Sequence, residues 1–227
     1  MSSIAVDGQL ARTARFYQTT IGKKAVMAVT GVMLFGFIVS HLLGNLQIYL
    51  GRETMNHYAV ALRTMPAVLW GARAVLLIAV IMHITASIQL TTLKHAARPI
   101  GYVKKKPVQA TLASRTMMWS GPLVLAFLIF HLLHLTFGTV HPNFQDVHPY
   151  ENMVIGLHTI PIALVYVVSV CMLGLHLYHG VWSMFQSVGI NHPRYTPMLK
   201  KFAVYSSILL VLGFISIPIA VATGIVS

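Results

Sequence analysis

CMLGLHLYHGVWSMFQSVGI, residues 171–190, is an apolar, helix-forming stretch that carries two histidines, His176 and His179. Three more apolar stretches hold an internal histidine. They are FGFIVSHLLGN (35–45) with His41, AVIMHITASIQL (79–90) with His83, and LAFLIFHLLH (125–134) with His131 and His134. An ionisable side chain within a membrane span is expensive and reads as functional. The rest of the sequence reads as the frame that brings four such imidazoles together.

The chain has 227 residues, of which 56% are apolar and 9% charged. Soluble domains carry about 25% charged residues, so these values mark a membrane protein. The net charge of +12 would raise nucleic acid as a partner of a soluble domain. Here the basic residues occupy short loops between apolar segments, which the positive-inside rule explains more simply. Nucleic acid is therefore excluded as the expected partner. The single cysteine, Cys171, lies in an apolar run and reads as a small core residue. No C-x-x-C-H motif for covalent haem is present. The first twenty residues lack an apolar h-region, so the first span is expected to serve as the insertion signal.

The whole of 1–227 reads as one all-α domain, a bundle of five membrane spans behind a polar leader (1–23). The spans are expected at about 24–49, 66–93, 116–140, 154–188 and 202–224. Pro66 suits the first turn of the second, and Pro218 is a kink site in the fifth. Residues 51–65 read as a short loop with a helical turn. The fourth span, at 35 residues, would run ~50 Å and must tilt or project beyond the ~30 Å hydrocarbon core. Thirteen of the 16 basic residues fall in the leader, the 94–115 loop and the 191–201 turn. Only Arg52, Arg63 and Arg73 fall on the other side. That bias places the N-terminus in the cytoplasm and the C-terminus outside.

Helical rise converts residue number into depth. His41 lies about 26 Å and His131 about 22 Å along their outward spans. His83 and His176 lie about 15 and 18 Å from the inner ends of theirs. Two pairs at two depths follow, His41 with His131 toward the outer leaflet and His83 with His176 toward the inner. Imidazole is a good ligand for iron, and bundle interiors are common sites for cofactors held by facing helices. The economical reading is two bis-histidine haems stacked across the bilayer. His134 and His179 stand one turn from His131 and His176, and spacing alone does not choose between neighbours.

In order along the chain stand S-H-L-L-G-N (40–45), M-H-I (82–84) followed by A-R-P (97–99), S-R-T-M-x-W-S-G (114–121), F-H-L-L-H (130–134) and H-L-Y-H-G-V-W-S (176–183). With five spans, this series resembles the di-haem cytochrome b membrane subunit, of the five-helix b558 type, of succinate:quinone oxidoreductases (succinate dehydrogenase or fumarate reductase). The resemblance covers nearly the whole chain. It implies His176 and His131 as ligands rather than His179 and His134, and two haem b groups. It also implies a flavoprotein subunit and an iron–sulfur subunit as partners, a menaquinone or ubiquinone, and a bacterial cytoplasmic membrane. Such a subunit serves the complex without a succinate site of its own.

Lys23, Lys24, Arg115 and Trp119 are expected near the inner mouth. There they would hold haem propionates or quinone, dock the iron–sulfur partner, or simply anchor the interface. Glu53, beside His57, is a candidate proton acceptor for quinone chemistry at the outer side, since a quinol releasing electrons also releases protons. The bland alternative is that Glu53 pairs with Arg52 or Arg63 in water. Other functions fit parts of the pattern: a cytochrome b anchor of another dehydrogenase or a hydrogenase, or a transporter using the histidines without haem. The charge bias yields the first test. A topology reporter fused at Lys105 is expected on the cytoplasmic side, and an outside location would overturn the orientation.

Overall fold

The computed structural model describes Arg12, residues 15–97, Ile100 and residues 112–227. Most of the leader, and Arg98 with Lys104, Lys105 and Lys106 of the basic loop, lie outside the described residues. The elements are α1 (Thr20–Asn45), a 3-10 turn (Leu46–Leu50), α2 (Arg52–Arg63), α3 (Pro66–Ala96), α4 (Leu112–Leu135), α5 (Pro149–Leu157), α6 (Ile160–Ser187) and α7 (Thr196–Ala222). Among the described residues there is no strand. Five helices, α1, α3, α4, α6 and α7, are long and apolar enough to cross a membrane. The chain is an all-α, five-helix membrane bundle.

Local chemistry sets the ends. The Thr19 hydroxyl accepts from the Gly22 N–H at 2.9 Å and caps α1, so α1 starts four residues before the expected Lys24. A Cβ on Gly22 would run into the Phe16 carbonyl, so glycine lets the incoming chain lie against the helix start. α3 begins at Pro66 as expected. α4 stops at Leu135 rather than 140, and the chain turns at Gly138, which has φ 72°.

Two expectations are corrected. The fourth span is not a continuous helix over 154–188. It breaks at His158 and Thr159, where Thr159 is extended (φ −82°, ψ 132°), and restarts as α6. Pro161 explains the break, because its ring would clash with the Leu157 carbonyl and it has no N–H to bond there. The 28 residues of α6 span about 42 Å, so the excess length largely disappears. Residues 52–63, read as a loop, form the regular helix α2. The fifth span also begins earlier than 202, at Thr196, because Lys200 and Lys201 are taken into the first turns of α7.

α6 is the hub of the bundle and packs on α7, α4 and α1. α3 leans chiefly on α1 and touches α4 through Thr91, whose hydroxyl meets the Met118 sulfur at 3.8 Å. α2, α5 and the 3-10 turn close one end. Beneath them Ile48, Met55, Tyr150, Met153, Leu157, Tyr166, Ile217 and Val221 form the main buried cluster. Polar ties hold this cap. Arg52 pairs with Glu151 at 3.1 Å, Asn56 donates to Glu151 at 2.9 Å and receives the Tyr150 N–H, and Arg63 pairs with Asp146 at 2.8 Å.

Burial pushes the Glu151 carboxyl up, but the Asn56 hydrogen bond and the Arg52 charge outweigh it, and the group titrates below its ordinary value. A depressed folded value means that the contribution is fully present above the unfolded pKa and is lost as pH falls through the folded one. Protection from hydrogen exchange over 52–63 and 149–157, corrected for the intrinsic rate, should therefore be constant near neutral pH and fall below about pH 4. Glu151→Gln should flatten that dependence and cost roughly 1 kcal/mol at neutral pH, given that Arg52 is largely solvated. An unchanged pH profile in the variant would remove Glu151 from this role.

Candidate functional site

His41 on α1 and His131 on α4 face each other with ring centroids 5.8 Å apart and planes at 87°. His83 on α3 and His176 on α6 do so at 6.4 Å and 61°. Counted along the helices from the capped end, His41 and His131 lie about 6 Å in, and His83 and His176 roughly 25 Å in. The four sequence-selected histidines thus meet as two pairs at two levels. Neither pair joins helices that pack closely, since α1 is not seated on α4 nor α3 on α6.

Two imidazoles on opposite sides of one metal, at ~2 Å per metal–nitrogen bond, hold their centroids roughly 6 Å apart. Both pairs stand near that separation, which also lies within the ~4.5–7 Å of ordinary ring packing. No hydrogen bond joins the rings of either pair. Among the described residues, no cluster of three or more His, Cys, Asp or Glu side chains could hold a metal ion. By donor set and spacing, each pair would suit a group that takes one imidazole from either side, as haem does.

Each pair has neighbours that the sequence did not single out. The Thr30 hydroxyl lies 3.1 Å from His83 Nδ1 and the Ser120 hydroxyl 3.5 Å from His176 Nδ1. Thr30 and Ser120 are both buried. The Tyr166 hydroxyl sits between His134 Nδ1 at 2.9 Å and His131 Nδ1 at 3.4 Å. His41 stacks on Phe37 at 5.2 Å. A hydroxyl in an apolar span is the only sequence signal these residues offered, and it does not tell a ligand's partner from a helix contact.

His134 differs from His131. It is 1% exposed and stacked on Phe130 at 5.3 Å. Its Nε2 lies 2.9 Å from where a Cβ on Gly156 would stand. The α5 backbone therefore covers that nitrogen and leaves no room for iron. Beside it His141 donates from Nε2 to the Asn152 carbonyl at 2.9 Å and accepts from the Asn143 N–H at 3.1 Å. His179 makes no ring contact among the described residues.

The four residues expected at the inner mouth do not converge. The Lys23 ammonium donates to the Tyr17 and Gln18 carbonyls at 2.9 and 2.8 Å and lies over the Tyr17 ring. Lys24 and Arg115 are exposed, and Trp119 is 75% exposed. No hydrogen bond, ion pair or ring contact links the four. Glu53 is exposed at the capped end and lines a shallow cleft with Thr54 and His57. It pairs with neither Arg52 nor Arg63, whose partners are Glu151 and Asp146.

Comparison with protein-family models, with curated proteins and with solved structures finds no match.

Proposed function

We propose that the chain is the membrane-anchoring di-haem b subunit of a succinate:quinone oxidoreductase, carrying electrons between an iron–sulfur partner and a membrane quinone. One observation carries the reading: four imidazoles, one from each of four spans, meet as two facing pairs at two levels, with no hydrogen bond inside either pair. When bound, haem supplies reversible one-electron transfer. The chain's part is to hold each iron between two imidazoles in an apolar interior. A histidine pathway for protons would call for hydrogen-bonded neighbours within a pair, and these rings are not bonded. The choice of succinate draws on the ordered motifs from 40–45 to 176–183. With the charge bias, it sets the capped end outside and the His83–His176 level toward the cytoplasm, where the flavoprotein and iron–sulfur subunits would dock.

Glu53 is the proton acceptor of this reading. Its pairing with Arg52 or Arg63 is absent, and it stands in the open cleft with His57 at the end nearest the His41–His131 level.

The first test is spectroscopic. The purified complex should show two reducible b-type haems per chain. His83→Ala or His176→Ala should halve the haem by removing the inner centre, and His41→Ala or His131→Ala the outer one. His134→Ala and His179→Ala should keep both. Absence of any b-type band in the parent chain, or loss of a haem in His134→Ala but not in His131→Ala, would overturn the assignment. The second test follows turnover. Glu53→Gln should lower succinate:quinone activity at least tenfold, with both haems bound and succinate oxidation by a soluble dye intact. Full quinone activity would discard Glu53.

A further inference from the structure

We infer that three hydroxyls, those of Thr30, Ser120 and Tyr166, are positioning residues that fix the tautomer of His83, His176 and His131, so that Nδ1 carries the proton and Nε2 presents a lone pair to the site. The inference rests on the di-haem reading for its redox consequence; the tautomers are assigned from the hydroxyls' other contacts.

A hydroxyl has one proton and two lone pairs. The Thr30 hydroxyl is 2.8 Å from the Val26 carbonyl, one turn back on α1. The Met27 carbonyl, at 3.2 Å, is a second acceptor, and we assign the proton to this helix backbone. That leaves a lone pair for His83, at 3.1 Å, and makes Nδ1 the donor. The same count holds at Ser120, which donates back to the Met117 carbonyl at 3.4 Å and stands 3.5 Å from His176 Nδ1. These contacts are longer, and the constraint on His176 is correspondingly weaker. With Nδ1 protonated on both rings, both Nε2 atoms are acceptors with no proton to share across the pair. Such a pair suits an electron-pair acceptor between the rings.

Tyr166 makes a choice between two histidines. It lies 2.9 Å from His134 Nδ1 and 3.4 Å from His131 Nδ1 and has one proton for the two, and we assign that proton to the nearer nitrogen, so that the lone pair receives His131 Nδ1–H. His131 is then an Nδ1–H imidazole with a free Nε2. His134 is the opposite tautomer, with its Nε2 proton against the α5 backbone. A single buried hydroxyl thus makes one of two neighbouring histidines a ligand and the other a structural group.

A hydrogen bond from Nδ1–H to an oxygen makes the ring a stronger electron donor through Nε2. Such a ligand stabilises the oxidised metal, and its loss raises the midpoint potential. In the complex, Thr30→Val should raise the midpoint of the His83–His176 haem and leave the other unmoved. Thr30→Ser, which keeps the hydroxyl, should restore it, and Tyr166→Phe should raise the midpoint of the His41–His131 haem instead. If Thr30→Val does not assemble, Ser120→Ala reads the same centre. Independently of iron, 15N shifts of labelled histidine in the full-length chain in bilayers should report Nδ1–H for His83 and Nε2–H for His134. An unmoved midpoint in Thr30→Val, or equal shifts in Thr30→Val and Thr30→Ser, would overturn the positioning role. Nε2–H at His83 would overturn the tautomer assignment. A chain without haem but with these tautomers would overturn the di-haem reading alone.

Discussion

An imidazole in hydrocarbon has two nitrogens to satisfy and no water to do it. Helical backbone satisfies itself within the span, so neighbouring helices must supply any partner for a side chain there. The bundle meets this demand on one side of three of the four facing rings, with a buried hydroxyl from an adjacent helix at Nδ1. These contacts tie α1 to α3 through His83, and α4 to α6 through His176 and His131.

That demand also explains the looseness of the packing. Lipid tails are as apolar as leucine, so nothing squeezes the spans together. Where they touch, small residues bring backbones close. Ala86 and Ala203 have no exposed surface, and Ala28, Ala79 and Ala113 have almost none. Where the paired histidines meet, α1 stands off α4 and α3 off α6. The close contacts are those of α6 with α7, α4 and α1, and of α1 with α3. Rigidity comes instead from the capped end, where α2, α5 and the last residues of α7 bury a real core and the arginines of the cap are matched to Glu151 and Asp146. The opposite end keeps Lys24 and Arg115 exposed and uncommitted, as expected of a surface that meets a partner or lipid headgroups.

The five spans were legible because each is a long apolar run with its own charge punctuation. The pairing of the histidines was legible because alternating direction and a fixed rise per residue turn position into depth. The errors had equally physical origins. Hydropathy runs unbroken from Val154 to Val188, and only the effect of Pro161 on the Leu157 carbonyl shows that one helix must end before the next begins. Residues 52–63 are too polar for a span, and the loop reading passed over the helical apolar period they do carry. Thr30, Ser120 and Tyr166 were invisible as partners because a hydroxyl's role depends on which neighbouring helix it faces, and that is a property of the packed bundle.

His131 and His134 show how far residue identity falls short of function. They lie three residues apart on one helix, in the same apolar run, and share one tyrosine hydroxyl. The His131 ring meets that of His41 at 5.8 Å. His134 is stacked on Phe130, bonded to Tyr166 and closed off by Gly156, whose missing side chain lets the α5 backbone come down on Nε2. A larger residue at 156 would need the space that His134 and His141 fill, so the glycine and the two histidines form one packed unit. That unit fixes the cap over the site and holds Tyr166 in reach of His131. The second histidine is then part of the support for the first, and neither spacing nor hydropathy could have assigned the two roles.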